Sequence, residues 1–143
     1  MRVVPKVVPA WHRIYLSGAV VELPPGRYGF PKSHRLLKAA EYEAVFAAPR
    51  VSSDRYFTIL MRPNALGHPR LGLAISKRKV KKATARNRLK RIVRESFRLN
   101  QHQLPAADFV VMAKPAAVEA ESKELWESLA RHWQRLNTEA AAS

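Results

Sequence analysis

The chain has 143 residues, 47% of them apolar, which gives room for one domain with a modest core and argues against wholesale disorder. A net charge of +15 and a pI near 11.0 make nucleic acid the first partner class to consider and an anionic membrane surface the second. Cysteine is absent, which excludes disulfides and cysteine-based zinc sites and suits a reducing cytoplasm; no apolar run approaches the roughly 18 residues that a bilayer span needs.

Residues 1–31 are punctuated by Pro5, Pro9, Pro24, Pro25 and Pro31 and by Gly18, Gly26 and Gly29. These break every candidate element, and the stretch reads as a disordered extension, although Trp11, Ile14, Tyr15 and Leu16 form a sticky patch. From Leu36 the pattern tightens. Leu37, Tyr42, Val45 and Phe46 fall near one helical face, and Pro49 closes the segment. Residues 55–62 (RYFTILMR) have the β-branched and aromatic content of a strand, and 63–69 supply turn residues. Residues 70–76 (RLGLAIS) form a second strand, expected to pair with the first as a hairpin. After the basic segment, Pro105 leads into a buried strand over Asp108–Ala113 that Pro115 stops. An amphipathic helix over about 119–136 follows, with Leu125, Trp126, Leu129, Trp133 and Leu136 inward. Residues 138–143 read as a short disordered tail.

Charge is concentrated in one place. Between Ser76 and Arg98 stand eleven lysines and arginines against one acid, Glu95, so this segment carries +10 of the total +15. Its second half has helical periodicity. With Leu89 at zero on a 100° wheel, Ala85, Ile92, Val93, Ser96 and Phe97 lie within about 80° of it, and Asn87, Arg91, Arg94 and Arg98 cluster opposite. Arg88 and Lys90 flank that basic face, and Arg86 lies near an edge of the apolar stripe. An ordinary surface helix mixes both signs of charge. Here almost no acid relieves the repulsion, and the run continues backwards through Lys82, Lys81, Lys79, Arg78 and Lys77.

The run Ala83-Thr-Ala-Arg86-Asn87-Arg88-Leu89-Lys90-Arg91-Ile-Val-Arg94-Glu-Ser-Phe97-Arg98 closely resembles the Arg-Asn-Arg helix of the bacterial ribonuclease P protein subunit. Leu71–Lys77 resembles the strand that enters that helix, Tyr42–Phe46 the family's first helix, Leu66–Arg70 its hairpin loop and Asp108–Lys114 its last strand. The motifs cover about 100 of the 143 residues in the family's order. The resemblance implies an α+β fold, an αβββαβα two-layer sandwich similar to the second domain of a small-subunit ribosomal protein. It also implies a left-handed βαβ crossover, against a rule that about 98% of such units obey. The domain spans residues 32–137.

That resemblance further implies two RNA surfaces. Lys77, Arg78, Lys79, Lys81, Lys82, Arg86, Asn87, Arg88, Lys90, Arg91, Arg94 and Arg98 would meet a catalytic RNA in a 1:1 complex. Arginine forks suit phosphate oxygens, and A-form RNA is recognised through phosphates, hydroxyls and shape. Tyr42, Phe46 and Phe57, with Arg55, Lys77 and Arg86 as a cationic rim, would line a cleft for the single-stranded 5′ leader of precursor tRNA. Stacking there tolerates any base sequence. Neither a catalytic residue nor a metal ligand is assigned to this chain. Hydrolysis would belong to the RNA and its Mg²⁺ ions, with no cofactor on the protein, no membrane, no required protein partner and a cytoplasmic location. His12, His34, His68, His102 and His132 lack metal-ligand spacing, and Asp54 and Glu95 stand isolated among cations. A ribosomal-type structural RNA-binding protein is the main competing reading, ahead of a protein-only nuclease and a membrane-active basic helix.

Overall fold

The computed structural model describes the backbone of residues 13–16, 19–22 and 32–142, with side chains from 32 to 138. Within those residues the elements are β1 (Arg13–Leu16), β2 (Ala19–Glu22), α1 (Ala39–Ala47), β3 (Arg50–Ser53), β4 (Phe57–Pro63), β5 (Arg70–Leu73), α2 (Ala83–Asn100), β6 (Ala107–Ala113), α3 (Ala116–Glu119) and α4 (Ser122–Ala142). From residue 39 onward the order is αβββαβα, with the last helix preceded by a single extra turn, α3. This is the α+β architecture that the resemblance implies.

β1 and β2 pair antiparallel within the stretch that the prolines and glycines mark as an extension, and β1 lies against α4. Trp11 and the remaining residues of that extension lie outside the described residues. At the other end, α4 continues to Ala142, through residues expected to form a tail.

The expected hairpin between the two strands before the basic segment does not form. The sheet order is β3-β4-β6-β5, so β6 lies between β4 and β5. It pairs antiparallel with β4, from Phe57↔Ala113 to Pro63↔Ala107, and parallel with β5, from Arg70↔Asp108 to Leu73↔Val111. The central position agrees with the burial of β6: six of its seven residues are buried, on both faces. β4 finds its hairpin partner on the other side, in β3.

Alternation then divides the sheet. Phe57, Ile59, Met61, Leu71, Phe109 and Val111 face α2 and α4, where Phe97, Phe109 and Trp133 pack edge to face with centroids 5.6–6.2 Å apart. The Trp133 indole donates to Ser96 Oγ at 2.9 Å, which satisfies both polar atoms at the α2–α4 contact. The opposite face is covered only in part: Leu60 and Val110 pack with Val45 of α1 and with Leu36. Beyond α1 the same face continues through Thr58, Met112 and Ala74, all half-exposed.

The outer edge of β5 is closed by the chain approaching α1. Leu36 N donates to Leu71 O at 2.9 Å, and Arg35 bridges Leu71 in parallel fashion. Tyr42 reaches around the same edge. Its hydroxyl accepts from Leu73 N at 3.2 Å and donates to Leu36 O at 3.4 Å, while its ring rests on Gly72. A β-carbon at Gly72 would stand 2.7 Å from Tyr42 Cε1, so the close approach requires glycine.

Candidate RNA interface

The basic segment begins with a turn built to hold charge outward. Ser76 Oγ accepts from Lys79 N at 3.2 Å, Ser76 O accepts from Val80 N at 3.0 Å, and Val80 is buried as a plug. Lys77, Arg78 and Lys79 are exposed around that plug, and Lys81 and Lys82 remain exposed beyond it. On α2 the expected apolar stripe is the observed one: Leu89, Ile92, Val93, Ser96 and Phe97 are buried. Asn87, Arg91 and Arg94 are exposed on the reverse side, and Lys90 is half-buried.

Three of the arginines expected at this interface are engaged within the protein. Arg86 Nη1 donates to the carbonyls of Val80 at 2.9 Å and Lys81 at 2.8 Å, fastening the turn to the first helical turn. Lys82, at the N-cap, offers no side-chain acceptor to the first amides of the helix, whereas Arg86, a donor, fixes the two carbonyls that precede it. Arg88 Nη2 donates to Ala120 O at 2.9 Å and Ser122 Oγ at 3.3 Å, linking α2 to the start of α4. Arg98 pairs with Glu95 at 2.5 Å, so that acid is not isolated. Wheel position alone cannot distinguish an arginine facing solvent from one reaching along the surface to a carbonyl.

Of the aromatic residues expected to share a cleft, Phe57 is set apart from Tyr42 and Phe46. Phe57 is fully buried on the helix-facing side of the sheet; it is a core residue and cannot stack on a base. Neighbouring strand residues point to opposite faces, and on β4 Phe57 takes the core side while Thr58 takes the other. Tyr42 is half-buried over Gly72, and Phe46 on the last turn of α1 is 46% exposed. Arg55 is exposed, with its guanidinium carbon 5.6 Å from the Tyr56 ring centroid. Arg55 precedes β4 and Lys77 follows β5, so both lie at one end of the sheet, the end where Thr58, Met112 and Ala74 are half-exposed. Lys114, which the sequence reading did not select, lies there too and donates to Ser53 Oγ at 2.9 Å. Its signal was positional: it directly follows β6, the central strand.

A second concavity adjoins the basic helix. A groove of about 270 Å³ runs between residues 35–37, the edge of β5 and α2, with Leu37, Tyr42, Leu71 and Leu73 beside Lys90 and Arg94. It joins Tyr42 to two of the residues expected at the other RNA surface.

The carboxylates of Glu41, Asp54 and Asp108 are committed to structure. Arg70 forms a two-pronged pair with Asp108, Nε to Oδ1 at 2.8 Å and Nη2 to Oδ2 at 2.7 Å, and also pairs with Glu41. The amides of Leu37 and Lys38 donate to Glu41, and with Arg70 they hold its carboxyl below the usual range. Burial alone would raise the Asp54 carboxyl. Hydrogen bonds from the Ser128 hydroxyl and the Phe57 and Tyr56 amides outweigh that effect and hold it at about 2, with His132 adding to the shift. His132 is buried behind β3, with Nδ1 2.6 Å from Ser52 Oγ and Nε2 3.2 Å from Asp54 Oδ2; desolvation lowers its pKa although Asp54 opposes. Ser52, Asp54 and His132 resemble a hydrolytic triad in composition only, since Ser52 is 1% exposed and offers no nucleophile to a substrate.

A family model described as Ribonuclease P matches residues 30–137. The ribonuclease P protein component of Methylococcus capsulatus is 50% identical over 120 residues, 83% of this chain and 94% of that protein. The counterpart from Photorhabdus laumondii is 49% identical over 109 residues, 76% of this chain and 92% of that one. Among solved structures, the RNase P protein of Staphylococcus aureus aligns with a TM-score of 0.67 at 27% identity, covering 73% of this chain and 95% of its own. The Thermotoga maritima RNase P protein aligns at 0.65 and 30% identity, over 71% of this chain and 96% of its own.

Proposed function

The chain belongs to the family of ribonuclease P protein components, and from that premise we propose how its two surfaces divide the work. Ribonuclease P is a ribonucleoprotein endoribonuclease, and this chain is its protein subunit. In our reading one copy docks on one catalytic RNA through Lys77–Lys82 and the exposed face of α2, led by Asn87, Arg91 and Arg94. The open end of the α1-side sheet face, with Phe46 as its stacking residue and Arg55, Lys77 and Lys114 as its cations, holds the 5′ leader of precursor tRNA.

The observation that carries this reading is the segregation of charge. The turn and the outer face of α2 present cations side by side, and the single acid among them is paired with Arg98. Such a surface relieves its own repulsion by displacing counterions from a polyanion. The leader assignment adds a thermodynamic argument. Precursor and product differ only by the leader, so contacts to the leader alone let the complex favour substrate over product. Bond breaking is assigned to the RNA and its Mg²⁺ ions: Glu41, Asp54 and Asp108 are occupied in ion pairs and hydrogen bonds, and among the described residues the acids and histidines form no cluster that could hold a metal.

The test compares precursor and mature tRNA binding to the assembled ribonucleoprotein. Phe46→Ala should lower precursor affinity about tenfold and leave mature tRNA binding and RNA assembly unchanged. Equal losses for both tRNAs would favour a ribosomal-type structural role. Cleavage by the protein alone, without RNA, would overturn the division of labour.

A further inference from the structure

We propose that the groove between residues 35–37, the β5 edge and α2 receives one unpaired nucleotide of the RNA that docks on α2. The base would lie on Leu37, Tyr42 and Leu73, and the phosphate on Lys90 and Arg94. The inference rests on the reading that α2 faces the catalytic RNA, and it specifies what that RNA must present.

The groove differs from the rest of the basic surface in being concave and apolar-floored. Its lining combines Leu37, Leu71, Leu73 and Tyr42 with cations, and none of its lining residues among those described is acidic. Leu37 at its lip is 63% exposed, more than the other exposed large apolar side chains among the described residues, Phe46, Val51 and Leu66. A paired A-form helix would gain nothing from such a floor, because its bases are turned inward and it meets proteins through phosphates and hydroxyls. An unpaired base offers a flat apolar face whose own phosphate stays within reach of neighbouring cations. At about 270 Å³ the groove is a little smaller than the roughly 300–1,000 Å³ of ordinary small-molecule sites, a size that suits a single nucleotide. The β5 edge inside the groove already receives Leu36 and the Tyr42 hydroxyl, so recognition there falls to stacking and charge, not to strand addition.

Because the chain contains no cysteine, Leu37→Cys creates a unique attachment point at an exposed position. The experiment loads that variant with an azidophenacyl photocrosslinker and assembles it with the cognate ribonuclease P RNA. It then irradiates with and without precursor tRNA and maps the adducts by primer extension. The expected result is crosslinking to one or two adjacent unpaired nucleotides of the catalytic RNA. In parallel, Leu37→Ser should weaken RNA binding about tenfold at unchanged salt dependence. Arg94→Gln should reduce the log–log salt slope by about 0.9. Crosslinks confined to paired nucleotides or to the precursor leader would overturn the proposal, as would none from an intact assembly. Failure of the unmodified protein to bind the RNA would instead overturn the α2-docking reading, and this inference with it.

Discussion

Arg86 Nη1 reaches the carbonyl oxygen of Val80 at 2.9 Å, six residues back along the chain, so the first arginine of the Arg-Asn-Arg run clasps the turn that displays Lys77, Arg78 and Lys79. Arg86→Gln should therefore loosen that turn. Amide exchange at Lys79 and Val80 should accelerate at least tenfold, and stability should fall by about 1–2 kcal/mol. RNA affinity should drop with nearly the same salt slope, whereas Arg91→Gln should lower the slope by about 0.9. Titration of binding against salt separates the two.

Charge reversal at two neighbouring positions should have different outcomes. Arg91 is exposed, so Arg91→Glu should weaken RNA binding more than tenfold with no change in melting temperature. Arg88→Glu loses the bonds to Ala120 O and Ser122 Oγ as well, and should cost about 1–2 kcal/mol of stability. Thermal melts of the RNA-free variants check this.

Gly72→Ala places a β-carbon 2.7 Å and 2.8 Å from Tyr42 ring atoms and 2.9 Å from Leu36 Cδ1. The ring must lift, breaking its hydroxyl contacts with Leu73 N and Leu36 O, at a cost of about 1–3 kcal/mol. Gly72→Ala and Tyr42→Ala combined should be less destabilising than the sum of the two, which a double-mutant cycle by urea unfolding would show.

Phe57 and Phe46 should fail in opposite ways. Phe57→Ala opens a cavity in the core and should cost about 3–5 kcal/mol. Phe46→Ala should leave stability within about 0.5 kcal/mol while impairing precursor binding. Denaturant midpoints and tRNA affinities, measured on both variants, decide it.

Acid should destabilise the fold in two windows. His132 and His34 have pKa values lowered from 6.5, both first by burial, so the unfolded chain binds more protons as pH falls below 6.5 and stability declines there. Asp54, lowered from 3.8 to about 2, contributes stability that is present above 3.8 and lost as pH falls through about 2. His132→Gln should flatten part of the decline below pH 6.5 and leave the lower window in place. Unfolding midpoints between pH 7 and 2 test both.

What could be read without coordinates was whatever a single element encodes. The α2 stripe of Leu89, Ile92, Val93 and Phe97 follows from helical spacing, and it is buried as read. The core positions Leu125, Leu129, Trp133 and Leu136 of α4 follow in the same way, with Trp126 only half-buried. What could not be read was anything set by two distant segments. β6 inserts between β4 and β5, with a two-sided burial that no local turn signal announces. Phe57 and Thr58 are neighbours on β4 whose assignment to faces depends on which side α2 covers. A wheel sets Arg86 at the edge of the apolar stripe and Arg88 beside the basic face, but it names no partner for either, and those partners are carbonyls at Val80 and Ala120. The groove lip at Leu37 arises because the segment before α1 zips onto β5, a non-local pairing with no signature in composition.

That zipping has a cost for any trimmed version of the protein. Proteolytic loss of everything up to Leu37 would leave the domain's motifs intact on paper, yet it would strip the margin of β5 and expose Leu71 O to any passing strand. Self-association should then appear in a chain that had lost none of its Arg-Asn-Arg helix.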